Sequence, residues 1–344
     1  MRAWLGATAF LVTVLLGSLA SAEGVGTVED DPCAVIGVRT NERPGADGAP
    51  TEVSIGVRMV DLTDIDDVSQ TLTGDFAIFL GWTDSRLEGL EGCEVPLDDI
   101  WTPGIRFVNS GRLFLGLEEE ADIGPAGSVQ YVQRYYGSLA TYHNLRQFPF
   151  DDQTFRLSLL SLEYGEEEVH LVVNERATGR RDILNISDWT VTSVKGEIRR
   201  QRVEATGKIG SAYDLDISAQ RERVFYLWKI IVPLCLIVFM SWTVFWVNPA
   251  QFGPQIGLSA TSMLTLIAFQ FATTSMVPPL GYFTTLDEFT TGSTVVVFLA
   301  LVQSLTTSYL VAEDREALAL RIDRLSRYVF PLSFALLVLV VFFR

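Results

Sequence analysis

Cysteine and histidine are scarce in this chain, three and two among 344 residues. His143 and His170 do not have the close spacing of paired metal ligands, so no metal site is expected. No phosphate-cradling glycine loop and no nucleophile motif occurs either, so no cofactor and no catalytic activity are expected. Basic charge is also short: 26 Lys and Arg stand against 42 Asp and Glu, a formal net charge of −16. No nucleic-acid partner is expected of such a surface.

Apolar residues make up 48% of the chain, and they crowd its two ends. Residues 1–22 carry one arginine, the apolar run FLVTVLLG and the small-residue ending Ala20-Ser21-Ala22, the pattern of a cleaved secretory signal. The run is shorter than the roughly 20 residues that a membrane span needs. From 23 to 223 the chain is acidic and rich in short β-like segments, among them EVSIGVRMV, GDFAIFLGW, RLFLGL, SVQYVQRYY, TFRLSLLSL and WTVTSVKGEI. Gly, Pro, Asp and Asn clusters separate them, which predicts an all-β, immunoglobulin-like sandwich. No helix of useful length is evident there.

The composition changes after Arg223. Four apolar segments, at about 224–247, 254–277, 289–311 and 326–343, are each long enough to cross the hydrocarbon as a helix. The short loop 312–325 carries Arg315, Arg321 and Arg324, which places it on the cytoplasmic side and the exported amino-terminal domain outside. The expected architecture is therefore an extracellular β-sandwich followed by an all-α, four-helix transmembrane domain.

The second span differs from the others. It holds several Ser and Thr residues and no charge, and Gly257, Thr261, Leu264, Ala268 and Phe271 recur on one helical face. Such a stripe serves equally as a helix-packing surface or, around a symmetry axis, as a pore lining with an apolar gate that sheds water. Both readings stay open on the residues alone.

FPFD at 148–151, Trp101-Thr102-Pro103, Trp82-Thr83-Asp84, Arg221 before the first span, Pro233 within it and Pro278 after the second follow one another in a distinctive order. In that order and spacing the chain resembles the pentameric ligand-gated ion channels, and particularly their bacterial branch. The resemblance implies a homopentamer in a lipid bilayer, permeant ions, and a small-molecule agonist bound between extracellular domains. It implies the inner membrane of a bacterium, with the amino-terminal domain periplasmic. In eukaryotic members FPFD lies in a loop closed by two cysteines; here Thr141 and Phe155 occupy the matching positions. A Cys33 to Cys93 bridge and two unrelated thiols are both compatible with an oxidising compartment.

The resemblance also implies roles. Phe148, Pro149, Phe150 and Asp151 would form a coupling loop, with Arg221, the acidic turn containing Asp64 and Asp66, and the connector from Pro278 to Tyr282 as its partners. From the residues alone, Asp151 could as well cap a surface turn. The agonist box of the family is depleted: the matched positions are Trp101, Leu162, Tyr164, Tyr213, Tyr131 and Ala77, the last where a bacterial relative carries Tyr. Arg199, Arg200, Arg202 and Lys208 offer basic charge that would attract a carboxylate, or a solvated face. His143 reads as a surface residue or a proton-sensitive bystander rather than a ligand. The segment Asn248 to Ile256 has no charge to set selectivity, while the acidic extracellular domain would enrich cations; monovalent cations are expected, with anion selectivity or proton activation as alternatives. A non-conducting membrane-anchored ligand sensor is the reading from another class. A transporter would need charged or broken mid-membrane helices, and the second span has neither.

Overall fold

A computed structural model of the protein describes Cys33 and residues 42–45, 48–203 and 207–343. The expected leader over residues 1–22 lies outside the described residues.

The first part is all β. Its strands are β1 (Thr51–Asp66), β2 (Thr71–Thr83), β3 (Glu94–Pro96), β4 (Ile105–Phe107), β5 (Ser110–Leu115) and β6 (Glu120–Ile123), then β7 (Ser128–Ala140), β8 (Asp152–Ser161), β9 (Val169–Val173), β10 (Gly179–Arg180), β11 (Trp189–Arg202) and β12 (Ile209–Arg221). One sheet runs β10-β1-β2-β7-β6-β3, with β5 joined to β7 and β9 to β1; the other runs β11-β12-β8-β4. Alternation does the sorting: along β2, residues from Leu72 to Trp82 are buried at every second position, which turns one face of the strand into the sandwich core. β9 and β10 join β1 in parallel register. The six segments singled out by pattern fall on β1, β2, β5, β7, β8 and β11.

Of the strands outside those six segments, β12 is the most buried. β12, IGSAYDLDISAQR, is poor in β-branched residues, yet nearly its whole length is buried because it lies between β11 and β8. Its apolar residues Tyr213, Leu215, Ile217 and Ala219 alternate with Asp214, Asp216 and Ser218, and it is the scarcity of β-branched residues that hides it.

Four helices follow, each long and apolar enough to cross a membrane: α1 (Arg223–Trp246), α2 (Phe252–Thr274), α3 (Thr285–Ala312) and α4 (Glu316–Phe342). α1 passes through a π-helical stretch at Leu227–Ile231 just ahead of Pro233, which has no N–H to give to a regular ladder. α3 starts at a capping box, in which Thr284 Oγ1 accepts from Asp287 N (3.1 Å) and Thr284 N donates to Asp287 Oδ2 (3.0 Å).

The expected loop at 312–325 is corrected. α4 begins ten residues earlier than its apolar run, so Arg321 and Arg324 are helical and only residues 313–315 connect α3 to α4. The segment EALALRIDRL is rich in strong helix formers, and Ala319, Asp323 and Ser326 bury one of its faces. Gln303 of α3 donates to Asp323 (2.7 Å), and Arg327 donates to the Phe245 carbonyl at the end of α1 (3.0 Å).

Candidate functional site

The segment from Thr141 to Asp151 leaves β7 and descends onto the helices. Asn144 caps a single turn at Leu145–Gln147, and a cis bond joins Phe148 to Pro149. Phe148 is 1% exposed and belongs to the same apolar core as Ile230, Leu234, Trp242, Phe289 and Phe334 of the helices. Burial of a ring of this size stabilises by roughly 1.5–3 kcal/mol. Its ring meets Tyr226 of α1 edge-on at 5.3 Å, and Phe150 meets Phe342 of α4 at 5.5 Å. Backbone groups join the same docking: Leu286 N donates to the Phe148 carbonyl (3.1 Å), and Leu145 N to the Tyr282 hydroxyl (3.2 Å). One loop thus touches α1, α3, α4 and the connector at Tyr282. Pro278, at the other end of that connector, is half-buried.

Behind the loop sits a buried ionic cluster. Arg221, 3% exposed at the end of β12, donates Nε and Nη2 to the two oxygens of Asp151 (2.8 and 3.1 Å) and Nη1 to Asp67 (2.7 Å). Its guanidinium also lies over the rings of Trp189 (4.2 Å) and Phe148 (4.8 Å). Burial opposes its charge, but the hydrogen bonds and charges of Asp151 and Asp67 outweigh burial and raise its pKa. Asp67 shows the mirror case: burial works against the carboxylate, while bonds from His143 and Arg221 hold its pKa below the ordinary range.

Two expectations change here. Asp67, not Asp64 or Asp66, supplies the acidic turn's contribution. Asp66 caps its own turn, accepting from Val68 N (2.8 Å) and Ser69 Oγ (2.7 Å), and Asp64 is exposed on β1. Burial and the charges of Asp66 and Asp188 raise the pKa of Asp64. His143, read as a surface bystander, is fully buried: its Nδ1 lies 2.9 Å from Asp67 Oδ1 and its Nε2 2.8 Å from Thr141 Oγ1. The sequence signal for both was present only as adjacency, Asp67 beside the named acids and His143 eight residues before Asp151.

On α2 the five residues of the stripe, Gly257, Thr261, Leu264, Ala268 and Phe271, all lie exposed on one face, Leu264 at 67% and Phe271 at 77%. The opposite face, Gln255, Ser259, Ser262 and Leu266, is buried. Hydrogen bonds fasten that buried face to α3: Ser308 donates to Gln255 Oε1 (2.8 Å), and Gln270 donates to Thr294 (2.7 Å). Among the described residues of one protomer, the stripe therefore packs on no other helix.

The expected agonist residues are not assembled into a box. Trp101 is fully buried, donating to the Tyr164 hydroxyl at 3.0 Å and meeting Trp82 edge-on. Tyr213 is fully buried as well; it shares a hydrogen bond with Thr178 (2.9 Å) and presses so close to Gly196 that a Cβ there would lie 2.3 Å from its hydroxyl. Tyr131 is 7% exposed, and burial pushes its phenol up to about 12. Leu162 is exposed, and Ala77 lies on β2 opposite Arg134. The basic residues are engaged: Arg199 with Glu197 and Asp214, Arg200 with Glu166, and Lys208 with Glu168. Arg202 and His170 are exposed on β11 and β9. Cys33 and Cys93 are each disulfide-bonded, whereas Cys235 is free.

A β-sandwich whose lower loop is built into a bundle of four membrane-length helices defines a membrane receptor architecture. Residues 37–221 match the neurotransmitter-gated ion-channel ligand binding domain, and residues 230–317 match the neurotransmitter-gated ion-channel transmembrane region. The chain belongs to this family, the pentameric ligand-gated ion channels; it is a ligand-gated ion channel, and its family is not one of enzymes. It is similar to a proton-gated ion channel of Gloeobacter violaceus, 26% identical over 293 residues that cover 83% of this chain and 81% of that one. It is also similar to the gamma-aminobutyric acid receptor subunit rho-3 of Rattus norvegicus, at 24% over 79% of this chain and 61% of the subunit. Another relative is the gamma-aminobutyric acid receptor subunit beta-4 of Gallus gallus, at 24% over 78% and 57%.

Proposed function

We propose that this chain assembles as a homopentamer whose α2 helices line a pore for monovalent cations, in the inner membrane of a bacterium with the β-sandwich outside. The observation that carries the reading is the exposed stripe of α2. Leu264 and Phe271 are large and apolar, and each leaves most of its surface uncovered in a single protomer. Around a five-fold axis they become rings narrow enough to gate by dewetting, with Gly257 and Thr261 toward the inner mouth. No basic residue stands on that stripe to repel cations.

The docked loop supplies the transmission. A ligand shifts the gate only if it binds the open arrangement more tightly, and the motion of the sandwich reaches the helices through Phe148, Phe150 and the Arg221 cluster. For the agonist, the buried Trp101 and Tyr213 argue against an amine box, and the paired basic residues argue against a carboxylate site. Activation by protons is the second reading, favoured by the similarity to a proton-gated channel. The test is conductance in bilayers under a known salt gradient, scanning pH and a panel of amines and carboxylates. A cation reversal potential is expected; an anion reversal potential, or no current under any condition, sinks the proposal.

A further inference from the structure

His143 is the buried titratable group that the coupling contacts do not require. The positions flanking it in the fold enclose it completely: Thr141 bonds one ring nitrogen, Asp67 the other, and the Phe155 ring packs edge-on at 4.9 Å. This environment accepts either protonation state without losing a bond. With a neutral ring, Nδ1–H donates to Asp67 and Nε2 accepts from the Thr141 hydroxyl. With a charged ring, both nitrogens donate, and the Thr141 hydroxyl turns to act as acceptor.

What changes is charge. Asp67, Asp151 and Arg221 together carry one uncompensated negative charge, and a proton on His143 cancels it. The change falls on Asp67 Oδ1, and the other oxygen of that carboxylate accepts from Arg221. Arg221 in turn holds Asp151 in the docked loop and lies 3.4 Å from the Tyr226 hydroxyl of α1. The path from imidazole to helix thus runs through three consecutive hydrogen-bonded side chains.

We propose that His143 is a proton-binding site that passes extracellular acidity to the helices through Asp67 and Arg221. The proposal deepens the proton-activated reading above and rests on it for the consequence at the gate, while the binding of the proton is measured separately. The other charged or titratable groups around the cluster are Asp64, Asp66 and Asp67 from the end of β1, Asp151 from the loop, Asp188 before β11, Arg221 from β12 and Tyr226 from α1. Asp64 is the rival: its pKa is raised by burial and by Asp66 and Asp188, and it is exposed to the same acid. Histidine changes charge between about pH 5 and 8, above the range of ordinary carboxylates.

Two measurements decide it. The chain contains two histidines, so imidazole nitrogen NMR of ¹⁵N-histidine-labelled channel in nanodiscs gives two sets of signals, and H170Q assigns them. The His143 signals are expected to move between the neutral and charged patterns as external pH falls over the range in which the channel responds, and D67N is expected to displace that change by at least about fivefold in proton concentration. Signals fixed across this range overturn the site whether or not the channel conducts. In the second measurement, currents are recorded against external pH for wild type, H143Q, H170Q and D64N. H143Q, whose amide keeps a donor toward Asp67, is expected to shift the response by at least about fivefold, with H170Q and D64N unchanged. A response that persists in H143Q, or is lost in D64N instead, overturns the coupling. Total absence of current at every pH sinks the channel reading alone, and the NMR titration still judges the site.

Discussion

The base of the extracellular domain and its outer flank are built from the same residue types, arginines, carboxylates and aromatic rings, and put them to opposite use. At the base, Arg221 is 3% exposed and held by two carboxylates that are 2% and 8% exposed. On the flank, Arg199 and Arg200 are exposed, and each is met by a carboxylate at the surface. Aromatics are buried in both regions but against different partners: the flank's Trp101 and Tyr213 within the sandwich, the base's Phe148 between sandwich and helices. Burial decides which ionic contact is a mechanical joint. An exposed pair yields about 0–1 kcal/mol and rearranges freely, whereas removing one partner of a buried pair costs roughly 3–5 kcal/mol.

The strongest way to break this contrast is R221M. It strands Asp67 and Asp151 without their cation, and the expected outcome is loss of roughly 3–5 kcal/mol, seen as a collapse of the thermal transition and of current. A gentler version is charge exchange between Asp151 and Arg221. Exchange of two paired charges restores function when the pair stands alone. Here Asp67 also accepts from Arg221 at 2.7 Å, so the double swap sets two carboxylates against each other and is expected to recover little. Adding D67N to the swap is expected to recover gating. Full recovery by the double swap alone would show that Asp67 is not an energetic partner.

The next largest effect sharpens the same contrast within one helix. In a C235A background, T261C on the exposed face of α2 is expected to react with a water-soluble thiol reagent and to lose most of its current. S262C, one residue on and buried against the bundle, is expected to stay silent. Equal reactivity at both positions, or none at Thr261 in any condition, counts against a pore on this face.

Acid separates the carboxylates of the base from its histidine. The folded state holds Asp67 below its ordinary value of 3.8. Its contribution to stability is therefore fully present above that value, and is lost as pH falls through the lower folded one. Thermal stability of the wild type is expected to decline with this origin only below about pH 4, and D67N is expected to flatten that limb. A decline already at pH 6 that D67N abolishes would contradict the assignment.

Most of the architecture was legible in the sequence because its signals are periodic. Alternation marks the two-faced strands, and long uncharged runs mark the helices. The misses have physical reasons. β12 alternates apolar and polar residues from Tyr213 to Gln220 but holds few β-branched ones, and the first turns of α4 are amphipathic where the rest of the helix is apolar. At the site, the FPFD loop and Arg221 could be named, but the choice of Asp67 over Asp64 and Asp66 could not. Three acids within four residues look alike until β1 ends and the turn points one of them inward. The burial of His143 was hidden for the same reason: its neighbours Tyr142 and Asn144 are exposed, and nothing local distinguishes it from them. The agonist residues misled in the other direction, since a tryptophan or tyrosine on a strand is as well suited to a core as to a ligand.

Smaller effects are expected where the flank is cut. W101F removes the 3.0 Å bond to Tyr164 while keeping an apolar ring, so stability should fall by about 1 kcal/mol with the midpoint of activation unchanged. R200A should do less still. Arg200 leaves most of its side chain in solvent beside Glu166, so its loss is expected to move the thermal transition by no more than about 0–1 kcal/mol. This weakest effect is informative, because a carboxylate agonist held by Arg200 would lose about 1.5–3 kcal/mol of binding with its charged hydrogen bond. A tenfold or greater loss of apparent affinity for any carboxylate, at unaltered stability, would move Arg200 from the solvated face into a binding site and erase the contrast between the flank and the base.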